Sequence, residues 1–314
     1  MSQDFAHDPV MVEEVVALLA PVPAGVLVDG TLGGGGHAAA ALTAHPHLDL
    51  LGIDRDPDAL AAAGERLAPF GSRVTLRHAR FSEMAAVVTE ALGADGTVVA
   101  VLLDLGVSSP QLDRAERGFS YRSEGPLDMR MDPGEGVGAI DLVNEADPEE
   151  LVRLFAANGE GRFARRIARR VVAARPITTT SELADAVAGA VPAAARRRGH
   201  PARRVFQALR IAVNDEIGEL MTALPAAVEL PVVGGRSVVI AYHSGEDRLV
   251  KAAFAEAARG GCTCPPGLPC GCGANPAHRL VFAGSKKAGP GEVARNRRAD
   301  AARLRSLERI KATP

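Results

Sequence analysis

Two short runs place single carboxylates directly after apolar stretches and just before small, flexible residues. The first is Val28-Asp29-Gly30-Thr31-Leu32-Gly33-Gly34-Gly35-Gly36-His37, which opens onto an alanine-rich stretch. Glycines in such a loop permit tight turning and let a ligand approach backbone N–H groups at a helix N-terminus. The same pattern would also serve a glycine-rich turn needed only for helix–sheet packing. Asp54 ends the next apolar run, 18 residues past Gly36, where a carboxylate can accept hydrogen bonds from ribose hydroxyls. The second run is Leu102-Leu103-Asp104-Leu105-Gly106-Val107-Ser108-Ser109-Pro110-Gln111. Asp104 there is a candidate to orient a cofactor or to accept a hydrogen bond from an incoming amino group, or else to cap the following turn. Together the runs call for a nucleoside-bearing ligand. No GxxxxGK[ST] motif is present, which argues against a P-loop, and the glycine spacing departs from the dinucleotide GxGxxG. A carboxylate at the mouth would also repel a pyrophosphate. Asp29 suits a positively charged ligand with an ammonium and a sulfonium, a description that fits S-adenosylmethionine.

The elements that carry these residues follow from the hydrophobic pattern. Strands are expected at Val26–Asp29, Leu50–Asp54, Val74–Leu76, Val98–Leu105 and Arg236–Ala241. Helices are expected after Asp8-Pro9 and over Asp58–Leu67 and Ser82–Leu92. Strands alternating with helices predict a doubly wound, mostly parallel α/β sheet. Near residue 113 the pattern gives way to loops and then helices. Phe163, Ile167, Val171 and Ala174 share one helix face, and Thr179-x-x-Glu182 reads as a capping box. A single helix over about Val205–Leu220 would align Val205, Leu209, Val213, Ile217 and Leu220. The expected organisation is one discontinuous α/β domain, residues 1–112 and 206–314, interrupted by an all-α insertion over 113–205.

The formal net charge of the 314 residues is only −2, yet the charge is segregated. Residues 151–205 hold 12 Arg against Glu160, Glu182 and Asp185, a local +9. Residues 279–311 hold 10 Lys and Arg against Glu292, Asp300 and Glu308, a local +7. The rest of the chain therefore sums to −18. Arg165, Arg166, Arg169 and Arg170, with Arg196–Arg198, Arg203 and Arg204, suggest a phosphate-binding surface, to which Arg295, Arg297, Arg298, Arg303 and Arg305 would add. No apolar run approaches the ~20 residues of a membrane span. The N-terminus lacks an apolar signal core, and a cytoplasmic location is expected. With no Trp and 11 aromatics in all, a base-stacking platform is disfavoured.

The run DLGVSSPQLDRAERGFSYRSEGPLDMRMDP (Asp104–Pro133) resembles the signature of the bacterial 16S ribosomal RNA cytosine-N4 methyltransferases. DGTLGGGGH (29–37), IDRDPDAL (53–60), GRFARRIAR (161–169), HPARRVFQALRIAVNDE (200–216) and HSGEDRLVK (243–251) extend the resemblance in consistent order along nearly the whole chain. It implies a Rossmann-like class I methyltransferase fold with S-adenosylmethionine as methyl donor. The implied substrate is the exocyclic N4 of one cytosine in the decoding region of 16S rRNA, within the small ribosomal subunit. Carried over residue by residue, cofactor contacts fall on Gly35, Gly36, His37, Asp54, Phe81, Asp104 and Gln111. Asp104, Ser108 and Ser109 are the candidates for the surroundings of the target base. His37 is read as a binding residue, and His243 as either a cleft residue or a buried structural one.

Cys262-x-Cys264-x5-Cys270-x-Cys272 gathers all four thiols of the chain within eleven residues. Four thiolates suit a structural Zn²⁺ with tetrahedral coordination, with His278 as an alternative ligand; a reduced loop without metal fits the spacing as well. No catalytic metal is expected.

Overall fold

The computed structural model describes residues 9–93, 96–196, 200–264 and 271–312. The chain divides into two compact units, one of Met1–Gly106 with Ile217–Pro314 and the other of Val107–Glu216.

The first unit is built on a seven-stranded sheet. Its strands are β1 (Gly25–Asp29), β2 (Leu48–Asp54), β3 (Val74–His78), β4 (Val98–Asp104), β5 (Arg236–Ala241), β6 (His278–Leu280) and β7 (Arg303–Arg309), in the order β3-β2-β1-β4-β5-β7-β6. The first five pair in parallel, whereas β7 runs antiparallel to both β5 and β6. Nearly continuous apolar sequences such as VVAVLLD suit parallel strands covered on both faces. Alternate side chains divide between the faces. Leu27, Leu50 and Leu102 pack on one face with α1 (Val12–Leu19), α2 (Gly36–Ala44) and α3 (Pro57–Leu67). Val28, Leu51, Val101 and Leu103 pack on the other with α4 (Met84–Leu92), and there Leu220, Leu224, Val250 and Phe254 complete the cover. The expected doubly wound, mostly parallel, Rossmann-like sheet is thus present.

The second unit is helical. It contains α5 (Ser109–Asp113), α6 (Ala139–Glu145), α7 (Pro148–Phe155), α8 (Ala164–Ala173), α9 (Thr180–Ala190), α10 (Ala193–Arg196) and α11 (Ala202–Val213). Its core gathers Phe155, Ile167, Val171, Leu183, Val187, Val205 and Leu209. Thr179 and Glu182 form the expected capping box at the start of α9. The buried Asn214 accepts from the Met131 N–H at 2.8 Å and donates to the Met129 carbonyl at 2.8 Å, which pins the long loop before α6.

Several expectations need correcting. The helix over Val205–Leu220 is two helices, α11 and α12 (Glu216–Glu229), because Asn214 closes the first and Asp215 turns the backbone to φ 48°. The units change at Val107 and after Glu216 rather than at 113 and 205, since α11 buries Val205, Phe206 and Leu209 in the helical core. The first helix starts at Val12, three residues later than Asp8-Pro9 implied, and Asp8 lies outside the described residues. The basic C-terminal segment contains β7, which its arginines concealed. Arg305 pairs with Asp247 at 2.8 Å, and Glu308 takes both Arg236 at 2.9 Å and Arg279 at 2.8 Å.

Phe155 is fully buried in the helical core. Phe155→Ala is expected to destabilise that unit by roughly 3–5 kcal/mol, read as a lower urea midpoint in chemical unfolding.

Candidate active site

Order β2-β1-β4 brings the C-terminal ends of three neighbouring parallel strands to one edge of the sheet, and each ends in an aspartate: Asp54, Asp29 and Asp104. The chain order reverses between β1 and β4, the place where open α/β sheets form a crevice. The loop after β1 folds against this edge. The Thr31 N–H donates to Asp29 Oδ1 at 3.2 Å, and Thr31 Oγ1 accepts from the Asp104 N–H at 2.6 Å. The Gly33 N–H donates to Asp54 Oδ2 at 2.7 Å, while Asp54 Oδ1 accepts from the Asp56 N–H at 2.8 Å.

Two glycines in this loop have demonstrable reasons. Gly35 precedes α2 with φ 73°, a backbone that side-chain-bearing residues adopt reluctantly. At Gly36 a Cβ would lie 2.6 Å from Pro9 Cγ, so the helix start and the N-terminal segment could not approach as they do. His37, in the first turn of α2, is buried. Its Nε2 lies 2.9 Å from the Val10 carbonyl, which only accepts, so that nitrogen carries a proton. Its Nδ1 is turned toward Asp104 Oδ2 at 3.6 Å.

Asp104 is held on its other oxygen by Tyr242, whose hydroxyl donates to Oδ1 at 2.8 Å. Tyr242 directly follows β5. Neither it nor Thr31 was singled out from the sequence; Thr31 adjoins the acid-glycine pair, but nothing local marks Tyr242, because its partner is 138 residues away. His243 stands at a helix start. Its Nδ1 accepts from the Gly245 N–H at 3.1 Å, and Glu246 Oε2 reciprocates to the His243 N–H at 3.2 Å, capping α13 (Ser244–Arg259). Phe81 begins a short turn of 3-10 helix after β3 and its Cβ lies 3.3 Å from where a Cβ on Gly30 would sit, beside the end of β1.

The remaining sequence candidates belong to the helical unit. Ser108 caps α5: its Oγ accepts from the Gln111 N–H at 3.4 Å, and Gln111 Oε1 accepts from the Ser108 N–H at 3.0 Å. Ser109 and Gln111 are both buried.

The electrostatics of the edge are unusual. Burial pushes Asp29 up to about 8, opposed by the Thr31 N–H and reinforced by the charges of Asp104 and Asp54. Burial also raises Asp54 to about 6 against the N–H groups of Asp56 and Gly33. Asp104 is raised by burial as well, with His37 and Tyr242 working against it; 21% of its side chain remains accessible. Among the described residues no Arg or Lys pairs with any of the three. Three carboxyl groups without a fixed cation form a receptor for a ligand that brings positive charge, and donors such as ribose hydroxyls suit Asp54.

Because its folded-state value lies above the unfolded one, Asp29 favours folding while protonated. That contribution is full below about pH 4 and is lost as pH rises toward about 8. Asp29→Asn is expected to cancel the loss, so that the stability difference between variant and wild type grows with pH by up to ~1.4 kcal/mol per unit. Urea unfolding across that range checks it; a pH-independent difference would contradict it.

The chain matches the model of the MraW methylase family over residues 4–310. It is 52% identical to a protein named ribosomal RNA small subunit methyltransferase H from Nocardioides sp., covering 97% of each chain. The protein of the same name from Thermobifida fusca is 51% identical, over 98% of this chain and 94% of that one. The Heliobacterium modesticaldum protein, also so named, is 50% identical over 98% and 99%. With the family model matched along nearly its full length and relatives at this identity, the chain belongs to the MraW methylase family and is a methyltransferase.

Proposed function

We propose that this enzyme transfers the methyl group of S-adenosylmethionine to the exocyclic N4 of a cytosine in small-subunit ribosomal RNA, 16S rRNA in bacteria. The observation that carries the reading is the trio Asp29, Asp54 and Asp104 at the sheet edge, with no Arg or Lys partner among the described residues, beside a glycine loop at a helix start. The donor set fits this methyl donor: buried carboxylates for its ammonium and sulfonium, Asp54 for its ribose hydroxyls, the Phe81 ring for its adenine, and Gly35, Gly36 and His37 for its methionine part. The names of the relatives support RNA of the small ribosomal subunit as the methyl acceptor.

When bound, S-adenosylmethionine supplies an electrophilic methyl group. Cytosine N4 is a weak nucleophile because its lone pair is delocalised into the ring. Acceptors that hold the amine let it rehybridise and aim it, which supplies positioning and electrostatic stabilisation. Asp104 suits that task. Tyr242 and Thr31 fix its side chain and backbone, and the accessible fifth of its side chain leaves it open to an amine donor. Methylation of N4 must also release one proton from the amine, and a carboxylate with a raised affinity for protons is suited to receive it. Ser108 and Ser109, four and five residues further along the chain, are proposed to border the target base, which must be unstacked to reach such a pocket. Gln111 is proposed as a further cofactor contact.

The helical unit is proposed to recognise the RNA. In α8 the apolar face, Ala164, Ile167, Ala168 and Val171, is buried, while Arg165, Arg166, Arg169 and Arg170 are all exposed. The narrow stripe of apolar residues forces the arginines outward, where they present a row of cations to phosphates. Arg197 and Arg198 lie outside the described residues, as does the side chain of Arg196.

Incubation with small-subunit RNA and labelled S-adenosylmethionine, followed by mass mapping, is expected to find the methyl on cytosine N4. Asp104→Ala should reduce the rate at least ~100-fold with the fold retained by circular dichroism. Charge removal at Arg165, Arg166, Arg169 and Arg170 should weaken RNA binding and flatten its salt dependence without altering cofactor affinity. Absence of label from cytosine would overturn the reading.

A further inference from the structure

The loop between α13 and β6 gathers thiols. Gly260 and Gly261 end α13 with φ of 55° and 74°, which turns the chain back at once and delivers Cys262 and Cys264. Cys272 returns from the other side of the loop. The Sγ atoms of Cys262, Cys264 and Cys272 all lie within 4.8 Å of one another, and those of Cys262 and Cys272 are 3.5 Å apart. That separation is far beyond a disulfide bond of ~2.05 Å. It is close to the ~3.8 Å between sulfurs that share a tetrahedral Zn²⁺ with bonds of about 2.3 Å. The Gly271 N–H donates to Cys264 Sγ at 3.3 Å, an orienting bond of the kind that metal thiolates receive from the surrounding backbone.

We propose that Cys262, Cys264 and Cys272 bind one structural Zn²⁺ that ties the end of α13 to the approach to β6. Cys270, the fourth thiol of the sequence motif, lies outside the described residues. Sulfur ligands select zinc over magnesium or calcium, which take oxygen. Clustered Cys thiolates are the ligands of structural zinc sites, and the ion takes no part in methyl transfer. His278, the other ligand suggested by sequence, is buried in β6 and does not join the three thiols. The physical gain is local. Between α13 and the three-residue β6 the chain runs through a stretch rich in Pro and Gly, with no helix or strand among its described residues, and a metal clip closes that loop.

The test uses the full chain, reduced and stripped of metal, then titrated with Co²⁺ as a spectroscopic probe and with Zn²⁺. One Co²⁺ per chain is expected, with the intense absorption of cobalt–thiolate charge transfer, bleached by one equivalent of Zn²⁺. Zinc should also protect the thiols from alkylation. Cys264→Ser and Cys272→Ser should each weaken zinc binding by about a hundredfold or more, while circular dichroism reports an intact fold. A folded wild-type chain without thiolate–cobalt absorption would overturn the proposal. So would zinc binding unchanged in both variants, or conversion of the thiols to a disulfide that leaves no metal bound.

Discussion

The structure turns on the burial of three carboxyl groups at one sheet edge that, among the described residues, no Arg or Lys pairs with. β2, β1 and β4 are neighbours and parallel, so an aspartate at the end of each must meet the others at the same rim. Burial alone would neutralise them, and it does raise all three. The surrounding groups act mainly to hold them in place. N–H groups from Thr31, Gly33 and Asp56 fix the oxygens of Asp29 and Asp54, and Tyr242 fixes Asp104. Such an edge is poised rather than relaxed: it gains most when a ligand supplies the missing positive charge. A sulfonium compound that also carries an ammonium meets that demand in a way that a pyrophosphate cofactor does not.

Much of this was legible in the sequence because the parallel strands leave an unambiguous trace. Buried on both faces, they read as unbroken apolar runs, and the acid that ends each run marks the exit toward the crevice. Asp29, Asp54 and Asp104 were therefore visible before the fold. Tyr242 was not, because an apolar strand followed by an aromatic is what any core looks like; only the pairing of β4 with β5 reveals its task. β7 was hidden for the opposite reason. RLRSLER looks like a solvated basic tail, but between β5 and β6 it seats Arg305 against Asp247, while its own Glu308 takes Arg236 and Arg279 from the neighbouring strands. The break between α11 and α12 escaped because the apolar spacing continues across it, while Asp215 adopts a positive φ that sequence periodicity does not register.

The two basic blocks consequently part company. In the C-terminal block Arg279, Arg305 and Arg309 are engaged with carboxylates of the α/β unit, so much of that charge is internal. In α8 the arginines face outward along a helix whose other side is core. The net charge near zero thus conceals a helical unit whose arginines on α8 are exposed to solvent.

The central claim is that the sheet edge waits for a cation, and its most direct test is calorimetry of S-adenosylmethionine binding near neutral pH in buffers of different ionisation enthalpy. Asp29, held near 8, is mostly protonated there and must ionise as the positive ligand arrives. The account predicts release of about one proton per ligand bound, abolished by Asp29→Asn. Binding with no dependence on buffer in the wild-type protein would contradict it.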